Sequence, residues 1–96
     1  MIAMKFEWDE QKNNSNIQKH GIDFIDACEI FNGYVYIDYD NREDYDEDRW
    51  LGIGMLPNGL IITVVFTERG EDTVRFISAR RANYHERKYY QETIPY

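Results

Sequence analysis

Arg75, Arg80, Arg81, Arg87 and Lys88 crowd into one stretch, "RFISARRANYHERKYYQ" at 75–91, of a chain whose formal net charge is −7. Arg80 and Arg81 come just before a helix start, where free N–H groups and the helix dipole favour an anion. Guanidinium forks there would add bidentate recognition of phosphate. Arg69 lies on a turn between adjacent strands and is expected on the same edge. On that reading Arg69 and Arg80 converge, from separate segments, on one concave surface around an anion, with Arg75, Arg81 and Arg87 as further contacts. Strand ends also carry arginine as solvated decoration, and spacing alone does not separate the two readings.

If the anion is a phosphodiester of RNA, four tasks must be met. The 2′-hydroxyl has to be placed and deprotonated, a charged phosphorane stabilised, and the leaving oxygen protonated. Arginine suits the third task but hardly titrates, so it is a poor base or acid. His20 carries an imidazole, the side chain whose unperturbed pKa lies nearest neutrality, and follows Lys19 at a helix end. It reads either as a proton-transfer group or as a histidine facing the helix dipole. His85 reads as an exposed helical histidine.

Other chemistries find little support. Two histidines, one cysteine and no H-x-x-H or C-x-x-C spacing do not make a zinc site. The acidic run at 38–48 lacks the glycine and terminal glutamate of a calcium loop, and it reads as a solvated loop or a surface for a basic partner. No metal and no cofactor are therefore expected. Gly52, Gly54, Gly59 and Gly70 are strand and turn glycines rather than a phosphate loop. Cys28 sits on an apolar helix stripe, where burial is the expected role.

The charge is unevenly spread. Residues 38–48, "DYDNREDYDED", hold seven acids and one arginine, whereas from Arg69 onward six bases face four acids. An acidic segment is thus attached to a nearly neutral body with a basic C-terminal third, so the total does not exclude an anionic partner. At 96 residues, 43% apolar and 16% aromatic, the chain predicts a single domain spanning 1–96 with a real core. No apolar run approaches the ~18–20 residues that cross a bilayer. The opening "MIAMKFEWDE" lacks the order of a signal peptide, and one cysteine excludes a disulfide framework, so a cytoplasmic protein away from membranes is expected.

The elements that must position these groups can be read in turn. "MKFEW" (4–8) predicts a short strand. Asp9 caps a helix running to His20 and stopped by Gly21. Its interior, Asn13 to Asn16, has weak helix propensity, so packing through Trp8 and Ile17 is expected to hold it. Asp23 opens a second helix whose stripe is Phe24, Ala27, Cys28 and Phe31, with Ile22 and Ala27 as a staple and "NG" at 32–33 as its end. Strands follow at 34–39, 49–55, 60–67 and 73–79, the third apolar enough to be buried on both faces. Asn83 and Glu86 form a capping box for a last helix over about 83–92. The expected class is α+β: an antiparallel sheet meander with two N-terminal helices and one C-terminal helix.

Four segments in this order, "FEWDEQKNNSNIQKHGIDFIDACEIF" (6–31), "DYDEDRWLGIG" (44–54), "VVFTERG" (64–70) and "RFISARRANYHERKYY" (75–90), resemble the BrnT family of bacterial toxins. The most specific elements are the opening F-x-W-D…K…N…K-H-G and the closing arginine-rich pattern through Glu86 and Arg87. The resemblance implies a RelE-like microbial ribonuclease fold and a metal-independent endoribonuclease that inhibits translation. It implies a BrnA-like antitoxin partner with a ribbon-helix-helix DNA-binding domain, joined in a hetero-oligomer that reaches operator DNA through the antitoxin. It also marks Lys12, Lys19, His20, Arg69, Arg80 and Glu86 as site residues, with Arg69 and Arg80 on the phosphate and His20 or a lysine moving the proton. The net charge favours a different class, a non-catalytic module acting only in a toxin–antitoxin–operator complex.

Overall fold

The computed structural model describes residues 4–42 and 46–95. Along the chain come β1 (Lys5–Glu7), α1 (Glu10–His20), α2 (Phe24–Ala27) and a 3₁₀ segment (Cys28–Asn32). They are followed by β2 (Val35–Tyr39), β3 (Trp50–Met55), β4 (Ile61–Arg69), β5 (Thr73–Arg81) and α3 (Tyr84–Thr93). The five strands form one sheet in the order β1-β5-β4-β3-β2. Strands β2 to β5 are the antiparallel meander the pattern predicts. The purely antiparallel sheet is corrected, because β1 runs parallel to β5. The hairpin leaves the outer edge of β5 free, and β1 takes it so that Phe6 can stack on Phe76 at 5.7 Å.

Phe76, 1% exposed, is the hub of an aromatic cluster with Phe6, Trp8, Phe24 and Phe31 at ring-centroid separations of 5.7–6.2 Å. This cluster, with Ile22, Ala27, Ile30, Ile62, Val64 and Phe66, packs α2 and the 3₁₀ segment onto one sheet face. A second group, Ile53, Ile61, Ala82 and Tyr90, packs α3 onto the other face. Strand β4 lies between them, buried from Ile61 to Thr67, as its β-branched run demands.

Helix α1 is capped as its sequence indicates. Asp9 accepts from the N–H groups of Gln11 and Lys12, and Gly21 takes the left-handed conformation (φ 71°) that closes the C-terminus. Its interior is held differently from the expectation. Ile17 is exposed, whereas Asn13 and Asn16 are buried. The Asn13 amide accepts from Phe24 N and donates to Asp23 Oδ1, tying α1 to the start of α2. The Asn16 amide donates to Ala79 O and Ile22 O and accepts from Ala79 N. It pairs with the β5 backbone beyond the last β1 contact, at Arg75.

The second helix is also corrected. After four residues that bury Phe24 and Ala27 it tightens into the 3₁₀ segment, which buries Ile30, three residues on, while Phe31 and Cys28 are only partly covered. Ile30 in turn meets Gly54, where an added Cβ would lie 2.7 Å from the Ile30 Cβ. In the acidic segment, residues 43–45 lie outside the described residues. Asp40 is not solvated as expected, because its carboxylate is fully buried and held by the Arg42 guanidinium at 2.8 and 2.9 Å. Among the described residues no helix is long and apolar enough to cross a membrane.

Candidate functional site

Helix α1 presents Lys12, Ser15, Asn16, Lys19 and His20 to the outer edge of β5, at the spacing of one helix face. With Asp9, Gln11, Ile77 and Ser78 they line a groove of about 440 Å³. Lys12 and Lys19 stand two turns apart on that face, a separation of about 10 Å. Lys12, Lys19 and His20 enter no ion pair among the described residues. The C-terminus of α1 is closed by the Gly21 N–H on Ile17 O, and the His20 side chain is a wall of the groove. The groove can therefore receive an anion, with one imidazole beside two ammonium groups.

The arginines are arranged otherwise. Register pairs Arg80 with Thr63, Arg75 with Thr67 and Arg69 with Thr73. On β4 these positions alternate with Ile62, Val64 and Phe66, so all three arginines belong to the sheet face that carries α3. Arg75 and Arg80 are an odd number of residues apart and would take opposite faces of a regular strand. Ile77 is an extra residue between the Phe66–Phe76 and Val65–Ser78 pairs, and this bulge restores them to one face.

Sharing a face is not converging. From Thr63 to Arg69 the strand rises about 20 Å, so Arg80 and Arg69 stand near opposite ends of the β4–β5 hairpin. The expected convergence of Arg69 and Arg80 on one anion is corrected. Each arginine already has a carboxylate: Glu47 for Arg69 at 3.4 Å, Glu7 for Arg75 at 2.6 Å and Glu86 for Arg80 at 2.7 Å.

Glu86 explains why the helix start does not hold a free anion site. Its carboxylate accepts from Asn83 N at 2.8 Å while Asn83 caps Glu86 N, completing the capping box. Both Glu86 oxygens also accept from the Arg80 fork, at 2.7 and 2.9 Å. Burial pushes the Glu86 carboxyl up, but the Arg80 guanidinium and the Asn83 N–H outweigh it and hold the group below the usual carboxylate range. The buried Thr63 hydroxyl approaches the same carboxylate outside hydrogen-bond geometry. Arg81 is exposed, and Arg87 donates to Ala82 O at 2.7 Å, stitching α3 to the end of β5. Among the described residues no cluster of three or more His, Cys, Asp or Glu is arranged to hold a metal ion.

A family model described as "Ribonuclease toxin, BrnT, of type II toxin-antitoxin system" matches residues 8–86. The chain belongs to the BrnT family. Its structure is similar to the crystal structure of the Brucella abortus ribonuclease toxin BrnT, with a TM-score of 0.63 and 32% identity, covering 84% of this chain and 99% of that one. No curated protein sequence matches the chain. BrnT membership makes it a ribonuclease toxin of the type II class, one half of a pair whose other half is an antitoxin.

Sequence reasoning missed the two residues that build the BrnT groove. Asn13 and Asn16, spaced by three, fix α1 against α2 and β5, and Asn16 is itself a groove wall. Their signal was visible as "NNSN" inside a helix, where poor propensity needs a compensating bond. His85, read as merely exposed, lines a second groove between α3 and the outer strands.

Proposed function

We propose that this BrnT toxin is a single-domain, RelE-like, metal-independent endoribonuclease that cuts RNA in the α1–β5 groove. The observation that supports this reading is the meeting of Lys12, Lys19 and His20, none of which enters an ion pair among the described residues, along one wall of that groove. His20, or a lysine, takes the proton from the 2′-hydroxyl. The hydroxyl oxygen attacks the adjacent phosphorus as the 5′-oxygen leaves, taking a proton from another of these groups; this gives a cyclic phosphate, which water then opens to a 3′-phosphate. The two ammonium groups offset the charge of the phosphorane. Arg81, exposed at the end of β5, contacts a phosphate further along the strand, and Glu86 and Arg87 hold Arg80 and the helix start in place. Cleavage slows translation in the cytoplasm. A BrnA-like ribbon-helix-helix antitoxin neutralises it in a hetero-oligomer that contacts operator DNA through the antitoxin.

The test is purified protein with RNA in EDTA. Cleavage persists, the products carry cyclic phosphate, and His20→Ala together with Lys19→Ala lowers the rate by about 10²–10⁴. A requirement for magnesium, or unchanged rates in the double variant, refutes the mechanism. One observation favours the second reading, a non-catalytic module: the three arginines of the α3 face are each matched by a carboxylate. Growth unaffected by the wild-type protein without its antitoxin would select that reading.

A further inference from the structure

The second groove differs in chemistry from the first. Tyr36, Asp38, Leu51, Ile53, His85 and Tyr89 line a mainly apolar recess of about 250 Å³ between α3 and strands β2 and β3. Glu86, the remaining wall residue, has its charge taken up by Arg80. The Tyr36 and Tyr89 rings meet at 5.1 Å across the recess, and Tyr89 is 54% exposed. Apolar surface continues past it on α3: the Tyr84 ring meets that of His85 at 5.5 Å and is 62% exposed. Aromatic side chains around a recess of this size suit a few anchoring side chains of a protein partner.

Charge selects among occupants. Asp38 is exposed on the rim, enters no ion pair among the described residues, and opens the segment 38–48, whose net charge is −6. That field repels RNA phosphates, and it repels a second copy of a chain carrying −7. It attracts lysine and arginine.

We propose that this recess is the docking site of the antitoxin, entered by an apolar or aromatic anchor flanked by basic residues. The inference rests on the toxin–antitoxin reading but not on the cleavage mechanism. It separates the two surfaces: the groove at the β5 edge takes RNA, and the recess between α3 and the outer strands β2 and β3 takes the antitoxin.

The test measures binding of the purified cognate antitoxin to the full-length toxin by calorimetry. Tyr89→Ala weakens binding by about 30-fold. Asp38→Lys, at an exposed position that leaves the fold intact by circular dichroism, weakens it by about tenfold at low salt and flattens its salt dependence. Lys12→Ala with Lys19→Ala changes it less than about twofold. Both recess variants still cleave RNA, and the antitoxin restrains them less well. Wild-type affinity in Tyr89→Ala and Asp38→Lys overturns the proposal, as does loss of affinity in the lysine pair. Toxin dimerisation abolished by Tyr89→Ala, or RNA crosslinked to Tyr89, overturns it in favour of another occupant. A wild-type protein that binds antitoxin but cuts nothing refutes the cleavage reading alone.

Discussion

Replacing Asn16 with alanine tests whether one side-chain amide joins α1 to the sheet. The amide makes three hydrogen bonds, two to the Ala79 backbone at 2.8 and 3.0 Å and one to Ile22 O at 2.9 Å, and Asn16 is 5% exposed. Alanine leaves one donor and two acceptors without partners, at about 1–3 kcal/mol each for buried groups. The lower end applies here, because the adjoining groove gives water a route to Ala79. Alanine recovers about 0.6 kcal/mol of helix propensity. The net expectation is a loss of about 2.4 kcal/mol, a large part of the roughly 5–14 kcal/mol available to a domain of this length. Urea unfolding should show that loss as a lower midpoint at unchanged slope, and thermal melting should fall by about 10–19 °C. Asn14→Ala, on the exposed side of the same helix, should instead stabilise by about 0.5 kcal/mol. A loss below about 1 kcal/mol for Asn16→Ala would refute the idea that the amide holds the β5 edge.

Gly54→Ala should cost about 1–3 kcal/mol in urea unfolding, since its Cβ would strike Ile30, and Gly52→Ala, with nearest contacts of 3.2–3.3 Å, should cost less. Glu86 titrates lower in the folded protein than in the unfolded chain, so its contribution is fully present above the unfolded value and is lost as pH falls through the folded one. Stability measured from pH 6 downward should therefore decline less steeply in Glu86→Gln than in the wild type, and parallel curves would contradict this. Burial raises the Cys28 thiol to about 11. Iodoacetamide at pH 7.5 should label it slowly in the native protein and rapidly in urea, and equal rates would refute the assignment.

Local chemistry was the legible part of this sequence. The caps at Asp9, Asp23 and Asn83, the stop at Gly21 and the central strand "IITVVFT" all follow from residues acting on near neighbours. Of the candidate site, Lys12, Lys19 and His20 were marked by the family resemblance, and the structure places all three on one helix face. What the pattern hid depends on partners far along the chain. The Ile77 bulge decides which face Arg75 shares with Arg80, and Glu7, Glu47 and Glu86 decide that the arginines are already matched. Asn16 meets Ala79 across 63 residues, so its polarity looked like a weakness of the helix.

The parallel pairing of β1 with β5 carries a consequence for synthesis. Phe6 must wait for Val74 and Phe76, and Glu7 for Arg75, 68 residues later. A chain emerging from the ribosome N-terminus first holds Lys12, Lys19 and His20 exposed long before the strand that forms the other wall of their groove exists. Contacts of such long range also slow folding. Closure of the groove therefore waits until β5 has been made.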